Sequence, residues 1–115
     1  MATITNNHEE GIDIIFLEGV LDDESLLQLR DMITTLRQQK STRLMIQGEG
    51  LEKIDSHRLE VLNSSIRIYR EMMGIIVLTG FPQKELDRIR RSSWYRYLNI
   101  FKTREEARNF LLPKK

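Results

Sequence analysis

Apolar runs alternate along this chain with stretches in which apolar residues recur every three or four positions. The run IDIIFLEG (12–19) is rich in β-branched and aromatic residues, which is typical of a buried strand. The turn signal Glu10-Gly11 precedes it, so ATIT (2–5) is predicted to form an antiparallel edge strand joined to it by a hairpin. The pattern therefore predicts two paired strands at the start of the domain.

Helical periodicity follows in four segments. In the first, apolar residues at positions 26, 29, 33 and 36 mark one face of a helix. Asp22 or Asp23 is suited to cap it, and Thr103 with Glu106 forms a capping box before the last segment. The predicted helices cover about 23–40, about 56–72, a segment opened by Phe81-Pro82 with the proline in its first turn, and 103–112.

Three further apolar runs predict strands: RLMIQ (43–47), GIIVLT (74–79) and YLNIF (97–101). GEGLEK (48–53) is interpreted as a loop, with GEG as a tight turn. Alternating strands and helices favour a mostly parallel sheet with right-handed crossovers. The predicted fold class is α/β: one domain over 1–115, with a mixed, mostly parallel sheet of about five strands and about four helices.

Length, net charge and cysteine content exclude several classes of function but identify none. The 115 residues suit one domain, and a net charge of +1 gives no general attraction to nucleic acid or anionic membranes. The absence of cysteine excludes disulfides, thiol catalysis and thiolate metal sites, and fits a reducing compartment. No apolar stretch is long enough to cross a bilayer, and the N-terminus does not resemble a signal peptide. We expect a cytoplasmic protein without membrane insertion.

The pair Asp55-Ser56 stands directly before the second helical segment and has two interpretations. Both residue types are favoured helix caps, worth about 1 kcal/mol relative to Ala. Alternatively, the Ser56 hydroxyl is a modification site, because a helix N-terminus tolerates the −1.5 to −2 charge that a phosphate adds, by rough estimate. Arg58 and protonated His57 would then be able to pair with the phosphate. The two interpretations are compatible.

The sequence gives little indication of a metal site, a phosphate-binding loop, a catalytic site or a nucleic-acid site. His8 and His57 lack metal-ligand spacing, no glycine-rich phosphate loop occurs, and no nucleophile–base set can be assembled. We therefore predict no enzyme, no metal and no cofactor. The segment RIRRSSWYRY (88–97) combines arginines with aromatic residues, as in nucleic-acid or protein interfaces, although arginines solvating a helix explain it more simply.

Four segments, in order, resemble the STAS domain family, and within it the anti-sigma factor antagonists. FLEGVLDDESLLQLRDMI (16–33) is similar to the family's strand, its G-x-L-D motif and its first helix. LMIQGEGLEKIDSHRL (44–59) is similar to the strand, loop and Asp-Ser pair before the second helix. GIIVLTGF (74–81) is similar to the next strand, and SSWYRYLNIFKTREEARNFL (92–111) to the C-terminal strand and helix. The fold implied is a single STAS-like domain.

The resemblance implies a protein-binding switch. A partner serine kinase, itself the anti-sigma factor, would phosphorylate Ser56, the unmodified chain would bind that kinase, and a phosphatase would reset it. The implied partner-binding residues are Asp22, Asp55, Ser56, His57 and Arg58. No nucleic acid is implied as a partner.

Three positions depart from the family pattern and support alternatives. His57 and Arg58 replace a small residue and a glycine, and Gln47 stands where the family often has Asp. His57 and Arg58 favour, as an alternative, a constitutive STAS scaffold subunit of a transport or sensory complex without phosphorylation. A third hypothesis is a ligand or nucleic-acid binder that uses the 88–97 segment.

Overall fold

The structure, a computed structural model, describes residues 3–52, 56–71, 74–91 and 99–112, with only the backbone of Ser56, Leu59 and Ile68. Within these residues five strands and four helices follow one another along the chain. In order they are β1 (Thr3–Glu9), β2 (Ile12–Gly19), α1 (Asp23–Gln38), β3 (Arg43–Leu51), α2 (Ser56–Glu71), β4 (Ile75–Thr79), α3 (Gln83–Arg90), β5 (Asn99–Phe101) and α4 (Arg104–Leu111). The predicted α/β fold is confirmed.

The five strands form one sheet in which spatial order equals chain order, from β1 to β5. β1 pairs with β2 antiparallel, through the hairpin at Glu10-Gly11, and the three remaining pairs are parallel. Glu10 and Gly11 both have positive φ, at 53° and 81°, as a tight reversal of the chain requires. The mixed, mostly parallel sheet is therefore the one that the sequence predicts.

Helices cover the two faces of the sheet unequally. Alternate residues of β2 point to opposite faces, so Ile15 and Leu17 join the larger core cluster under α1, α2 and α3. Ile12 and Ile14 join the smaller cluster, in which Ala107 and Leu111 of α4 pack against the opposite face. β2 and β3 are thus buried on both faces. No helix in the described ranges is long and apolar enough to cross a membrane.

Tyr69 closes the core at the amino ends of the parallel strands. Its side chain is 1% exposed, and its hydroxyl shares a 2.9 Å hydrogen bond with the Ser41 hydroxyl. Burial raises the pKa of Tyr69, because the phenolate would be poorly solvated there. A Cβ on Gly74 would lie 2.3 Å from the Tyr69 ring, so glycine is required where the chain enters β4.

The observed boundaries correct two predictions. GEG is not a tight turn, because β3 continues through it to Leu51. Gly50 and Leu51 pair with Glu18 and Gly19, beyond a register shift that places one extra residue in β3. Pro82 occupies the N-cap position, one residue before α3, and does not lie inside its first turn. The predicted strand at 97–101 is found over Asn99–Phe101, while 97–98 lie outside the described residues.

The predicted Thr103 N-cap of α4 is confirmed, and Glu106 accepts a hydrogen bond from the Thr103 hydroxyl instead of the backbone N–H that a full capping box uses. The Thr103 hydroxyl accepts the Glu106 backbone N–H at 3.1 Å, and it donates to the Glu106 carboxylate at 3.1 Å. The apolar face predicted for α1 is also confirmed, since the residues at positions 26, 29, 33 and 36 are all buried. Local patterns therefore predict the helix faces correctly.

One buried hydroxyl generates a stability prediction. Thr79 is 1% exposed, and its Oγ1 has no hydrogen-bond partner within the described part of the chain. We expect Thr79→Val to raise the free energy of unfolding by about 1 kcal/mol, because the isosteric methyl group removes an unpaired buried hydroxyl. Urea denaturation of both proteins measures the difference.

The matched control is Val77→Thr, on the same strand and the same face, where the side chain is 0% exposed. It adds a buried hydroxyl and should lower the unfolding free energy by about 1–3 kcal/mol. A Thr79→Val protein less stable than the wild type would contradict the assignment of an unpaired hydroxyl.

Candidate functional site

The parallel strands β2 and β3 lead directly into α1 and α2, so both helices start at the carboxyl edge of the sheet. Loops at this edge of an α/β sheet are the usual place for binding groups. Gly19 ends β2 with a φ of 94°, a left-handed conformation that favours glycine and turns the chain toward α1. The sequence-predicted residues around positions 22 and 56 are thereby brought to one edge.

Asp22 is the N-cap of α1, which decides between Asp22 and Asp23. Its Oδ1 accepts the Ser25 hydroxyl at 2.7 Å and the Ser25 backbone N–H at 2.9 Å. These two hydrogen bonds, the hydroxyl first, hold the pKa of Asp22 below its usual value of 3.8. Ser25 is 0% exposed, so the carboxylate is held in place from within the fold.

Arg58 joins the first turn of α2 to the first turn of α1. Its Nε lies 3.2 Å from Asp23 Oδ1, across a separation of 35 residues in sequence. The Asp23 side chain is 83% exposed and that of Arg58 is 30% exposed. An ion pair this exposed contributes only about 0.2–1 kcal/mol, so its main effect is to orient Arg58.

The first turn of α2 differs from the other three in its charge. It contains no acidic residue, whereas α1, α3 and α4 each carry at least one acid in the first turn. Ser56 is the first residue of α2 and His57 is exposed, while Asp55 lies outside the described residues. The partial positive charge of this helix end is therefore not offset by an acid of its own first turn.

Sequence reasoning missed the apolar part of this surface. Val20 and Leu27 are 38% and 50% exposed, and both lie close in sequence to the α1 cap. A groove of about 190 Å³ runs between α1 and α2, lined by Asp23, Leu26, Leu27, Arg30 and Val61. Leu27 was detectable, because it is apolar but falls outside the buried stripe of α1. The Arg58–Asp23 pair stands at one end of this groove.

The remaining candidates lie elsewhere or outside the described residues. His8 pairs with Asp13 at 2.9 Å, at the opposite end of β2 from the α1 cap. Arg88, in the 88–97 segment, donates to buried Glu85 at 3.0 Å, while 92–97 of that segment lie outside the described residues. No cluster of three or more potential metal ligands occurs in the ranges that the structure covers.

The chain is similar in sequence to one protein family and in fold to several solved structures. The STAS domain family matches residues 3–107, and no curated protein matches the chain. An anti-sigma factor antagonist from Mycobacterium paratuberculosis has a TM-score of 0.82 at 14% identity, covering 96% of this chain and 94% of its own. A putative anti-sigma factor antagonist from Thermotoga maritima reaches 0.83 at 16% identity, covering 94% and 93%. The Bacillus cell fate determinant SpoIIAA, in its phosphorylated form, reaches 0.73 at 21% identity, covering 94% and 98%.

The Asp22 cap predicts a specific dependence of stability on pH. A carboxyl group whose pKa is lowered by folding stabilises the fold above its unfolded pKa, near 3.8, and loses this contribution as pH falls through the folded pKa. Asp22→Asn should therefore be less stable than the wild type at neutral pH, and the difference should shrink below about pH 3.8. Urea denaturation over a pH series measures it.

Asp31→Asn provides the matched control, since Asp31 is an exposed acid on the same helix. It removes the same charge from a side chain that caps no helix, whereas Asp22→Asn removes the charge from a carboxylate that accepts two hydrogen bonds, so Asp31→Asn should cost less stability at neutral pH. Equal losses for the two variants would show that net charge, and not the charged hydrogen bonds of Asp22, causes the effect.

Proposed function

The chain belongs to the STAS domain family, and on this premise we propose that it is a phosphorylation-controlled binding protein of the anti-sigma factor antagonist type. The unmodified form binds a serine kinase that is also an anti-sigma factor. Phosphorylation of Ser56 by that kinase ends the contact, and a phosphatase restores it. The proposed contact residues are Asp55, Ser56, His57 and Arg58, with Asp22 positioning the neighbouring helix.

The acid-free first turn of α2 is the observation that carries this proposal. A phosphate on Ser56 would bring about −1.5 to −2 charge to the end of a helix, where backbone N–H groups and the helix dipole favour an anion. The N–H groups and dipole of the helix start would therefore offset part of the added charge. The phosphorylated state of SpoIIAA, a protein of the same fold, provides a precedent for such a modification.

The surface around α2 supports a protein as the partner. Leu27 and Val20 expose apolar side chains next to the polar groups of both helix starts. An apolar patch bordered by charged residues is typical of a protein interface. A partner's apolar side chain would enter the groove between Leu27 and Val61, and a phosphate at the start of α2 would add a poorly solvated charge beside it.

We expect Ser56→Asp to weaken binding of the partner kinase at least about 10-fold, or about 1.4 kcal/mol, while Ser56→Ala binds as the wild type does. The reason is the added negative charge at the contact surface. Isothermal titration with each purified serine kinase of the anti-sigma type from the source organism measures the affinity.

Ser64→Asp is the matched control, because Ser64 is an exposed serine further along the same helix. It adds the same charge away from the proposed contact and should leave the affinity unchanged. Equal affinity of Ser56→Asp and Ser56→Ala for one partner would refute the switch.

A second function, the constitutive scaffold, is favoured by one specific observation. Arg58 is held by Asp23 at the place where the family usually has a glycine. A long side chain there fills the space through which another protein's backbone would approach. In this case Arg58 itself would provide the contact, and Ser56 would remain unmodified.

The scaffold predicts that Arg58→Glu abolishes binding of the partner while Ser56→Asp does not. Arg67→Glu, a charge reversal at an exposed arginine of the same helix, is the control and should bind normally. The same titrations measure all three variants. A complex that survives Arg58→Glu would exclude the scaffold.

A further inference from the structure

The outer edge of β1 is an open strand edge. β1 is the first strand of the sheet order, and its only strand neighbour among the described residues is β2. Its seven residues pair with β2 in an unbroken antiparallel register, from Thr3 opposite Glu18 to Glu9 opposite Ile12. An edge of this length presents a row of backbone donors and acceptors to another chain.

Most features that protect natural edge strands are absent from β1. The segment TITNNHE contains neither proline nor lysine, and its pairing with β2 has no bulge. Five of its seven residues are exposed. The last residue of β1 is also held by ion pairs, because Arg104 and Arg108 of α4 lie 3.3 and 3.5 Å from the Glu9 carboxylate.

One hydrogen bond shows which backbone groups face outward. His8 donates its backbone N–H to Asn7 Oδ1 at 3.0 Å, a local bond that is directed away from β2. Backbone groups alternate in direction along a strand, so Ile4, Asn6 and His8 share this outward orientation. Among the described residues, the Asn7 side chain provides the one hydrogen bond to an outward-facing backbone group of β1.

These outward groups match a second copy of the same strand. In an antiparallel pair centred on Asn6, Ile4 lies opposite His8 of the other copy and Asn6 lies opposite itself. This register joins all three outward residues of each copy and brings no like charges face to face. The Asn6 amide both donates and accepts, so it can pair with its own copy across a two-fold axis.

A groove beside the edge supports the same pairing. Asn6 and the outer side of α1 enclose a cavity of about 410 Å³ that opens next to β1. Its other lining residues are Gln28, Asp31, Met32, Thr35, Leu36 and Gln39. A two-fold axis at Asn6 would set the two grooves opposite each other and bury their mixed polar and apolar walls.

We propose that two copies of this protein associate through antiparallel pairing of their β1 strands about Asn6, which joins the two sheets into one. The contact uses the side edge of the sheet, whereas α2 connects β3 to β4 on the far side of β2. The start of α2 remains uncovered, so the association does not depend on the proposed switch.

Sedimentation of the full chain from roughly 1 µM to 1 mM tests the association, with a reversible monomer–dimer equilibrium as the expected result. Asn6→Lys places two like charges together at the axis and should weaken dimerisation at least about 10-fold, with partial recovery in high salt. Circular dichroism confirms that this exposed substitution leaves the fold intact. A wild type that stays monomeric throughout, or a dimer unchanged by Asn6→Lys, would overturn the proposal.

Cysteine substitution tests the register, since the chain contains no cysteine of its own. In the proposed pair the two Asn6 Cα atoms are about 5.5 Å apart, within the range that a disulfide spans. Asn6→Cys should therefore form a covalent dimer under mild oxidation at least about 10-fold faster than Thr5→Cys, whose side chain faces Asn7 of the other copy on the opposite sheet face. Equal rates for the two variants would refute the register.

Discussion

Burial of β2 and β3 on both faces is the constraint on which the rest of the structure depends. Neighbouring parallel strands are joined by a crossover connection, which is usually a helix. Here α1 connects β2 to β3, and α2 connects β3 to β4. α1 and α2 therefore pack side by side over the larger core cluster, and both begin at the carboxyl edge. The candidate site is a direct consequence, since two distant segments meet there only because their strands are neighbours.

Charge at the helix starts distinguishes the two helices that meet at this edge. α1 begins with a capped, acid-rich turn in which Asp22 is held by buried Ser25. The first turn of α2 contains no acid, and within the described ranges Arg58 of that turn pairs with Asp23 of α1. The first turn of α1 thus carries acids that complement its helix dipole, whereas the first turn of α2 carries none. In the proposed switch, a phosphate on Ser56 would add its charge at the helix start whose first turn lacks acids.

On the sheet face opposite α1 and α2, α4 covers the smaller core cluster and contacts the β1–β2 hairpin. α4 is only 8 residues long, yet it covers the second sheet face through Ala107 and Leu111 and holds the β1–β2 turn through its arginines. Arg108 also pairs with Glu10 in that turn. These ion pairs restrain the hairpin end of β1, although the outer edge of the strand is open. Rigidity of this kind lowers the conformational entropy lost when a second strand pairs with it.

Local sequence determined the order of the elements, the buried faces of α1 and β2, and the cap at Thr103, because periodicity and capping act within a few residues. For α1 it left Asp22 and Asp23 as candidates, and the structure selected Asp22. The family resemblance located Ser56 at the start of α2 by the same local pattern. Only the tertiary structure extended β3 through GEG, since Gly50 and Leu51 become a strand by pairing with the end of β2. It alone joined Arg58 to Asp23 and left Leu27 exposed beside Val61, because these contacts depend on how two helices pack and not on any local motif.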